Sequence, residues 1–389
     1  MDVCIAGWAH SRFGRSEAEG AEELVAEVVP AALDHAGCGA EEIDAIYLGA
    51  FNNGFQKQDF QASLVALAEP ALRHVPATRL ENACATGSAA IHAGINAIRA
   101  GQAKRVLVVG VEKMTEIPTK AAGEVLLGAC YVREEADVEG GFAGVFGQVT
   151  DAYFQAWGDR SASLARIAAK NHRNGVNNPL AHMQKDFGFE FCNTVSDKNP
   201  IVAGPLRRTD CSMISDGSAA LVLTTPEIAE ETGRPVIGFR STAQVNDFLP
   251  VSRRSKISFD GAALAWRKAL EDAGVTLDDL SLVETHDCFT IAELIEYEAM
   301  GLAEPGQGFR VVDEGLTEMD GRLPVNPSGG LKSKGHPIGA TGVSMHVMAA
   351  MQLAGDAGAM QVKDAEMAGI FNMGGLSVAN YVSILERVR

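Results

Sequence analysis

Apolar positions recur along the chain with two periods, and the two alternate. Short β-type runs, such as Val3–Gly7, Arg105–Gly110 and Leu282–Glu284, are set apart by Ala-rich stretches whose apolar residues share one helical face, such as Ser88–Ala100 and Val343–Ala354. This alternation predicts an α/β protein whose helices cover a mixed, mostly parallel sheet.

The pattern also repeats. Residues 32–48 read ALDHAGCGAEEIDAIYL and residues 269–285 read ALEDAGVTLDDLSLVET. Each is the end of an amphipathic helix closed by Ala-Gly, an acidic capping stretch, then a β-type run. Residues 83–111 and 335–372 each give a turn of small residues, a long helix and a strand. Asp216–Leu223 and Gly374–Ile384 are matching Gly-led strands. A unit this long is a domain rather than a solenoid module. The expected first half covers 1–115 and resumes at 211–255; the second covers 256–389. Between them, residues 116–210 have no counterpart. That segment is rich in Gly, Asn and aromatics, as in Gly140-Gly141-Phe142 and Phe187-Gly188-Phe189, and reads as an inserted lobe of the kind that shapes substrate sites.

A length of 389 residues suits two domains or one large duplicated unit. The net charge of −17 excludes a nucleic-acid partner, because little here would neutralise a phosphate backbone. An anionic ligand then needs a local basic patch, and Arg253, Arg254 and Lys256 are the candidates. No run approaches the ~20 apolar residues of a membrane span. The N-terminus lacks a signal peptide's basic region and apolar core. The C-terminus carries no prenylation or peroxisomal signal. The cytoplasm is the expected compartment. The seven cysteines are odd in number and scattered, with no pair at metal-ligand spacing, so neither a disulfide framework nor a metal site is expected.

Two of those cysteines stand where chemistry is done. Cys84 lies among small residues, Glu81-Asn-Ala-Cys-Ala-Thr-Gly-Ser88, at the mouth of an Ala-rich helix. The free N–H groups and dipole of the helix start are expected to lower its thiol pKa. Five glycines in residues 329–342 mark a loop where backbone comes close to something, and His336 sits within it at the start of the next helix. If the halves pack about a pseudo-twofold axis, Cys84 and His336 start equivalent helices and face each other, and a His beside a Cys activates the thiol. His286 and Cys288 follow the strand Leu282–Glu284, at a carboxyl end where α/β proteins bind ligands. Two apart, they can point to the same side of an extended chain. After the strand Gly369-Ile-Phe371, Asn372-Met-Gly-Gly375 offers backbone N–H groups for an oxyanion hole.

At these residues the chain resembles the thiolase superfamily over essentially its whole length: Cys84 in its small-residue setting, Gly335-His336-Pro337, and the Gly-Gly turn near the C-terminus. The loop His286-Asp-Cys-Phe289 and the segment Lys170–Pro179 are similar to the sterol carrier protein 2 type of thiolase. Typical members carry Asn-Glu-Ala-Phe at 286–289 and a second catalytic Cys where this chain has Asn372. The resemblance implies a layered α-β-α-β-α core and acyl-CoA and CoA as substrates, with no permanently bound cofactor. It implies a homodimer or tetramer; no sterol carrier domain is expected, since the sequence stops at residue 389. It further implies that His336 takes the proton of Cys84, that Cys84 is acylated, and that Cys288 moves the α-carbon proton. One thioester oxygen would meet His286 and His336, and the other the backbone N–H groups of Cys84 and Gly374. The rival expectations are a decarboxylating ketoacyl synthase, which leaves Cys288 idle, an acyltransferase or carbon–carbon lyase of secondary or steroid metabolism, and a subunit of a multi-protein complex.

Overall fold

The computed structural model describes residues 2–231 and 233–388. Its strands are β1 (Cys4–His10), β2 (Ala45–Gly49), β3 (Ala77–Leu80), β4 (Arg105–Glu112), β5 (Ile201–Ala203), β6 (Leu206–Arg207), β7 (Gly217–Thr224), β8 (Ile237–Asn246), β9 (Leu282–Glu284), β10 (Met367–Gly374) and β11 (Ala379–Arg387). Among the described residues nine of them form one series, β3-β2-β4-β7-β1-β8-β11-β10-β9, and β5 pairs with β6 apart from it.

The series is nearly a palindrome about its centre. Outward on one side run β1, β7, β4, β2 and β3; on the other run β8, β11, β10 and β9. A parallel bridge from Val283 to Val325 stands where a counterpart of β3 would lie. The sides meet at the pairs Cys4–Gly238 and Ile5–Ile237. The local repeats match as well. Helices Ala21–Ala36 and Asp260–Ala273 end at Gly37 and Gly274, with φ of 64° and 66°. That left-handed conformation favours glycine and lets its N–H close the helix. A short turn follows each, held by Glu42 on the N–H of Gly39 and Asp279 on that of Thr276. Then come β2 and β9.

Two expectations need correction. The sheet is mixed but not mostly parallel: β2–β3, β2–β4 and β9–β10 are parallel, while β4–β7, β1–β7, β1–β8, β8–β11 and β10–β11 are antiparallel. The tight Gly374-Gly375 turn forces β10 and β11 antiparallel. Strand β8 pairs with β11 from Asn246 to Ile237, so it lies in the second half. The range 211–255 is thus split between the halves.

Helix Ala21–Ala36 packs outside β1 and β7, and helix Asp260–Ala273 outside β8 and β11. Between the half-sheets lie helices Thr86–Arg99 and Ile338–Ala354, packed on each other. The layers are therefore α-β-α-β-α. Helix Ile338–Ala354 is buried nearly all round, as Ile338, Val343, Met345, Val347 and Leu353 attest. A helix apolar on every face belongs between layers, and each such side chain contributes about 1.5–3 kcal/mol on burial. Gly87 and Gly342 let the two helix starts touch. A Cβ on Gly87 would lie 2.7 Å from the N of Val343, and one on Gly342 would lie 2.3 Å from the N of Ser88.

The 116–210 segment is largely helical, with Gly141–Trp157 and Ser161–Val176 its longest pieces. The second carries most of the segment Lys170–Pro179, whose Lys170, Asn171, Asn174 and Asn178 side chains are buried and reach the loops before and within the Gly-rich stretch. Lys170 pairs with Glu293 at 3.0 Å. Asn171 donates to Asp287 and Glu293, Asn174 to the carbonyl of Asn326, and Asn178 to that of Ser328. This network anchors loops of the second half to the inserted segment. No helix among the described residues is long and apolar enough to cross a membrane.

Candidate active site

Cys84 sits on a strained turn. Ala83 has φ of 49°, a left-handed conformation that costs a residue with a Cβ about 1–2 kcal/mol. Thr86 holds the turn: its hydroxyl accepts from the N–H of Asn82 at 2.7 Å and donates to the carbonyl of Ala83 at 2.6 Å. The helix begins at Thr86, so Cys84 lies just before its first turn. The expected lowering of the thiol pKa is overturned. Burial pushes Cys84 up to about 12, against a smaller opposing pull from the N–H of Gly375. Burial disfavours the charged thiolate, and with Cys84 only 3 % exposed this outweighs the pull of the helix start.

His336 is buried beside it. Its Nδ1 lies 2.7 Å from the hydroxyl of Thr341, which also reaches the carbonyl of Pro337 at 2.9 Å. His286 is buried too, and its Nδ1 lies 2.9 Å from the amide nitrogen of Asn372. The rings stand edge to face, centroids 5.1 Å apart. Burial and the charge of Lys334 bring His336 down to about 3, and burial with His336 nearby takes His286 well below its usual value. At working pH both rings and the thiol are neutral. An attack by Cys84 would therefore have to be accompanied by transfer of its proton.

One donor atom each of Cys84, His286 and His336 lies within 4.8 Å of the others. With both Nδ1 atoms engaged, the Nε2 atoms are the ones left to face the sulfur. The Nε2 of His286 is buried and has no partner among the described residues. Sequence spacing could not show this soft-donor cluster, because its members come from three distant loops.

Cys84, Cys288 and His336 line one cavity of about 800 Å³, walled by Met114, Phe142, Phe289 and Ile338. Cys288 is fixed by the N–H of Ser212 on its carbonyl at 2.9 Å and by Phe289, stacked on Phe146 at 4.3 Å. Burial pushes its thiol well above the ordinary value, with Cys84, Glu296 and Asp287 adding to the rise. Asp287 faces away from the cavity and holds the Gly-rich loop through the N–H groups of Leu331 and Lys332. A Cβ on Gly330, whose φ is 59°, would meet its carboxylate at 2.4 Å. The N–H of Gly375 bears on the Cys84 sulfur, and Gly374 beside it ends β10 paired with Ala379.

The basic candidates do not line this cavity. Arg253 lies over Phe248, Arg254 donates to the carbonyl of Phe248, and Lys256 reaches Gln148. The cations on its wall are Lys120 and Arg208. Lys120 stands alone in sequence, and Arg208 follows only Arg207, whose side chain is buried on Asp210. Thr341 and Ser88 were unmarked: each looks like an ordinary helix-start hydroxyl until its partner is seen.

Family comparison matches residues 3–227 to the thiolase N-terminal domain and residues 243–387 to the thiolase C-terminal domain-like family. The chain is 35% identical over 394 residues to an acetyl-CoA acetyltransferase of Methanothermobacter thermautotrophicus, covering 99% of this chain and 100% of that protein. It is 33% identical over 317 residues to sterol carrier protein 2 of Homo sapiens, covering 77% of this chain and 56% of that longer protein. Among solved structures, a chain of the Ltp2-ChsH2(DUF35) aldolase superposes with a TM-score of 0.83 at 20% identity, covering 100% of this chain and 98% of that one, which is a likeness of fold.

Proposed function

The chain belongs to the thiolase family, and from that premise we propose that Cys84 carries the acyl group in its acyl transfer between acyl-CoA thioesters. The enzyme is an acyltransferase of the thiolase type, working by thiolysis of a 3-ketoacyl-CoA or the reverse condensation. The observation behind the residue roles is the meeting of two thiols and an imidazole in one largely apolar cavity.

In the thiolytic direction, Cys84 attacks the 3-keto carbon as its proton passes to Nε2 of His336. The carbon–carbon bond breaks and the electron pair leaves as the enolate of the shortened acyl-CoA. Cys288, a neutral thiol at rest, protonates that carbon. The Cys288 thiolate then takes the proton of an incoming CoA thiol, which attacks the acyl group on Cys84. The departing Cys84 thiolate recovers its proton from His336. The Cys84 proton returns to Cys84, Cys288 passes its proton to the product and takes the one CoA gives up, and condensation is the same path reversed. The N–H groups of Cys84 and of the Gly374-Gly375 turn serve the oxygen of the acyl-enzyme, and Nε2–H of His286 serves the enolate oxygen. Lys120 and Arg208 are the candidates for the phosphates of CoA. A homodimer is part of this reading. Strand β3 ends the sheet with Ala77 and Thr78 exposed, beside exposed Phe60 and Leu67, and an open edge of this kind needs cover. A one-chain mass by light scattering would remove that claim.

Incubation with an acyl-CoA should add one acyl group to Cys84 by mass spectrometry. Cys288→Ala should keep that adduct, yet lose turnover and α-proton exchange into deuterated water by roughly 10²–10⁴. A label on another cysteine, or one that persists in Cys84→Ala, overturns the nucleophile. Normal exchange in Cys288→Ala overturns the proton carrier.

A further inference from the structure

Asn372 touches three groups of the site at once. Its amide nitrogen lies 3.1 Å from the carbonyl oxygen of Cys84 and 2.9 Å from Nδ1 of His286, and its oxygen accepts from the hydroxyl of Ser88 at 2.8 Å. All three are buried. A carbonyl oxygen cannot donate, so the Asn372 atom facing Cys84 must be the NH₂ group. An NH₂ group cannot accept, so Nδ1 of His286 must present its lone pair to it. The ring proton therefore sits on Nε2, the buried nitrogen without a partner among the described residues.

Cys84, His286 and His336 form a cluster whose donor atoms, one from each, lie within 4.8 Å of one another, and with Nδ1 engaged the same Nε2 is the nitrogen His286 has left to offer it. One sulfur and two imidazole nitrogens make a donor set for Zn²⁺, which binds them at about 2.0–2.3 Å with a fourth position open. The cavity would supply that opening. Zn²⁺ binding would release the Cys84 proton and would need a lone pair on each Nε2. Metal-binding histidines present that lone pair because an acceptor, often a carboxylate, holds their other N–H. Here the second partner is a donor, the opposite arrangement.

We propose that Asn372 is a positioning residue that fixes His286 as an Nε2–H donor, so that the Cys84–His286–His336 cluster receives an oxyanion and refuses a soft metal ion. The oxyanion half rests on the acyl-transfer reading; the metal half does not. Ser88 supports the arrangement by occupying the amide oxygen. Without Asn372, the ring proton is free to move to Nδ1, and the nucleophile of the enzyme becomes a zinc ligand.

Asn372→Asp replaces the donor with an acceptor and tests both halves. Zn²⁺ is titrated into the purified enzyme against a chromophoric chelator. The variant should bind one Zn²⁺ about 10- to 100-fold more tightly than wild type, the usual worth of such a partner on a ligating histidine. Adding Cys84→Ala should abolish the gain. In metal-free buffer, kcat for condensation and the rate of α-proton exchange should fall about 10²–10³-fold, as when one oxyanion donor is lost, with KM little changed. The acyl adduct on Cys84 should still form. Should the buried carboxylate prevent folding, Asn372→Ala serves, since it too releases Nδ1 from its donor. Wild-type exchange and kcat in a folded variant overturn the proposal, as does Zn²⁺ binding no tighter than wild type's. If wild type itself forms no acyl adduct, the acyl-transfer reading fails, and the Zn²⁺ comparison alone decides the role of Asn372.

Discussion

His336 and His286 stand 5.1 Å apart beside the same sulfur, both buried and both uncharged, yet their second nitrogens meet opposite chemistry. His336 faces the hydroxyl of Thr341, whose proton goes to the carbonyl of Pro337, so its oxygen accepts Nδ1–H whether or not Nε2 is protonated. Its ring can therefore take a proton at Nε2, give it back, and find a matching partner at Nδ1 in each state. His286 faces the NH₂ of Asn372, which only donates. Its ring is held in one state. A residue that must take a proton at Nε2 has an acceptor behind its Nδ1–H, and a residue that must present Nε2–H has a donor behind its Nδ1. Sequence alone shows two histidines, each beside a small polar loop; the difference lies in the partners.

The comparison breaks most sharply if the two histidines are removed separately. His336→Ala should slow acylation of Cys84, and turnover with it, by about 10²–10⁴, since no other base reaches the thiol. His286→Ala should acylate normally and lose condensation by about 10²–10³. Rapid-quench acylation and steady-state kinetics on both variants check this, and equal effects on acylation would erase the distinction. Wild-type acylation should also stay flat from about pH 5 to about pH 10. His336 is a free base above about 3 and Cys84 a protonated thiol below about 12, so neither titrates in that window. A limb near the ordinary imidazole pKa would show that burial does not hold His336 neutral.

Much of the frame was legible in the sequence because it is local. The Ala-Gly helix ends at Gly37 and Gly274 and the acidic turns after them mark the duplication within short windows, and the duplication puts Cys84 and His336 at equivalent helix starts. What stayed hidden depends on burial or on distant pairing. The sign of the Cys84 shift reversed because water exclusion outweighs a helix dipole, and exclusion is a property of packing. Strand direction was misjudged because periodicity carries no pairing information: β7 lies beside β4 only after the whole inserted segment. Arg253, Arg254 and Lys256 drew attention because they cluster, whereas Lys120 and Arg208 reach the cavity singly. The segment Lys170–Pro179 is similar to one family type, and its side chains turn out to anchor loops around the catalytic cavity.

The smallest expected effect is the most discriminating. Thr341→Val keeps the shape of the side chain and removes its hydroxyl, leaving Nδ1 of His336 without a partner in a buried site. A neutral hydrogen bond contributes about 0.5–1.5 kcal/mol, which corresponds to a roughly 2- to 10-fold loss in acylation rate. The loss should be confined to acylation, because His286 keeps Asn372 and with it the enolate donor. It should also stay well below that of His336→Ala, because Nε2 still faces the sulfur and only the stabilisation of the protonated ring is weakened. A Thr341→Val variant as slow as His336→Ala would mean that the hydroxyl passes a proton onward, making Thr341 part of the relay. One with no effect would mean that His336 needs no partner to change state, and the contrast with His286 would rest on Asn372 alone. Single-turnover acylation of Cys84, measured beside condensation in the same preparation, separates these outcomes.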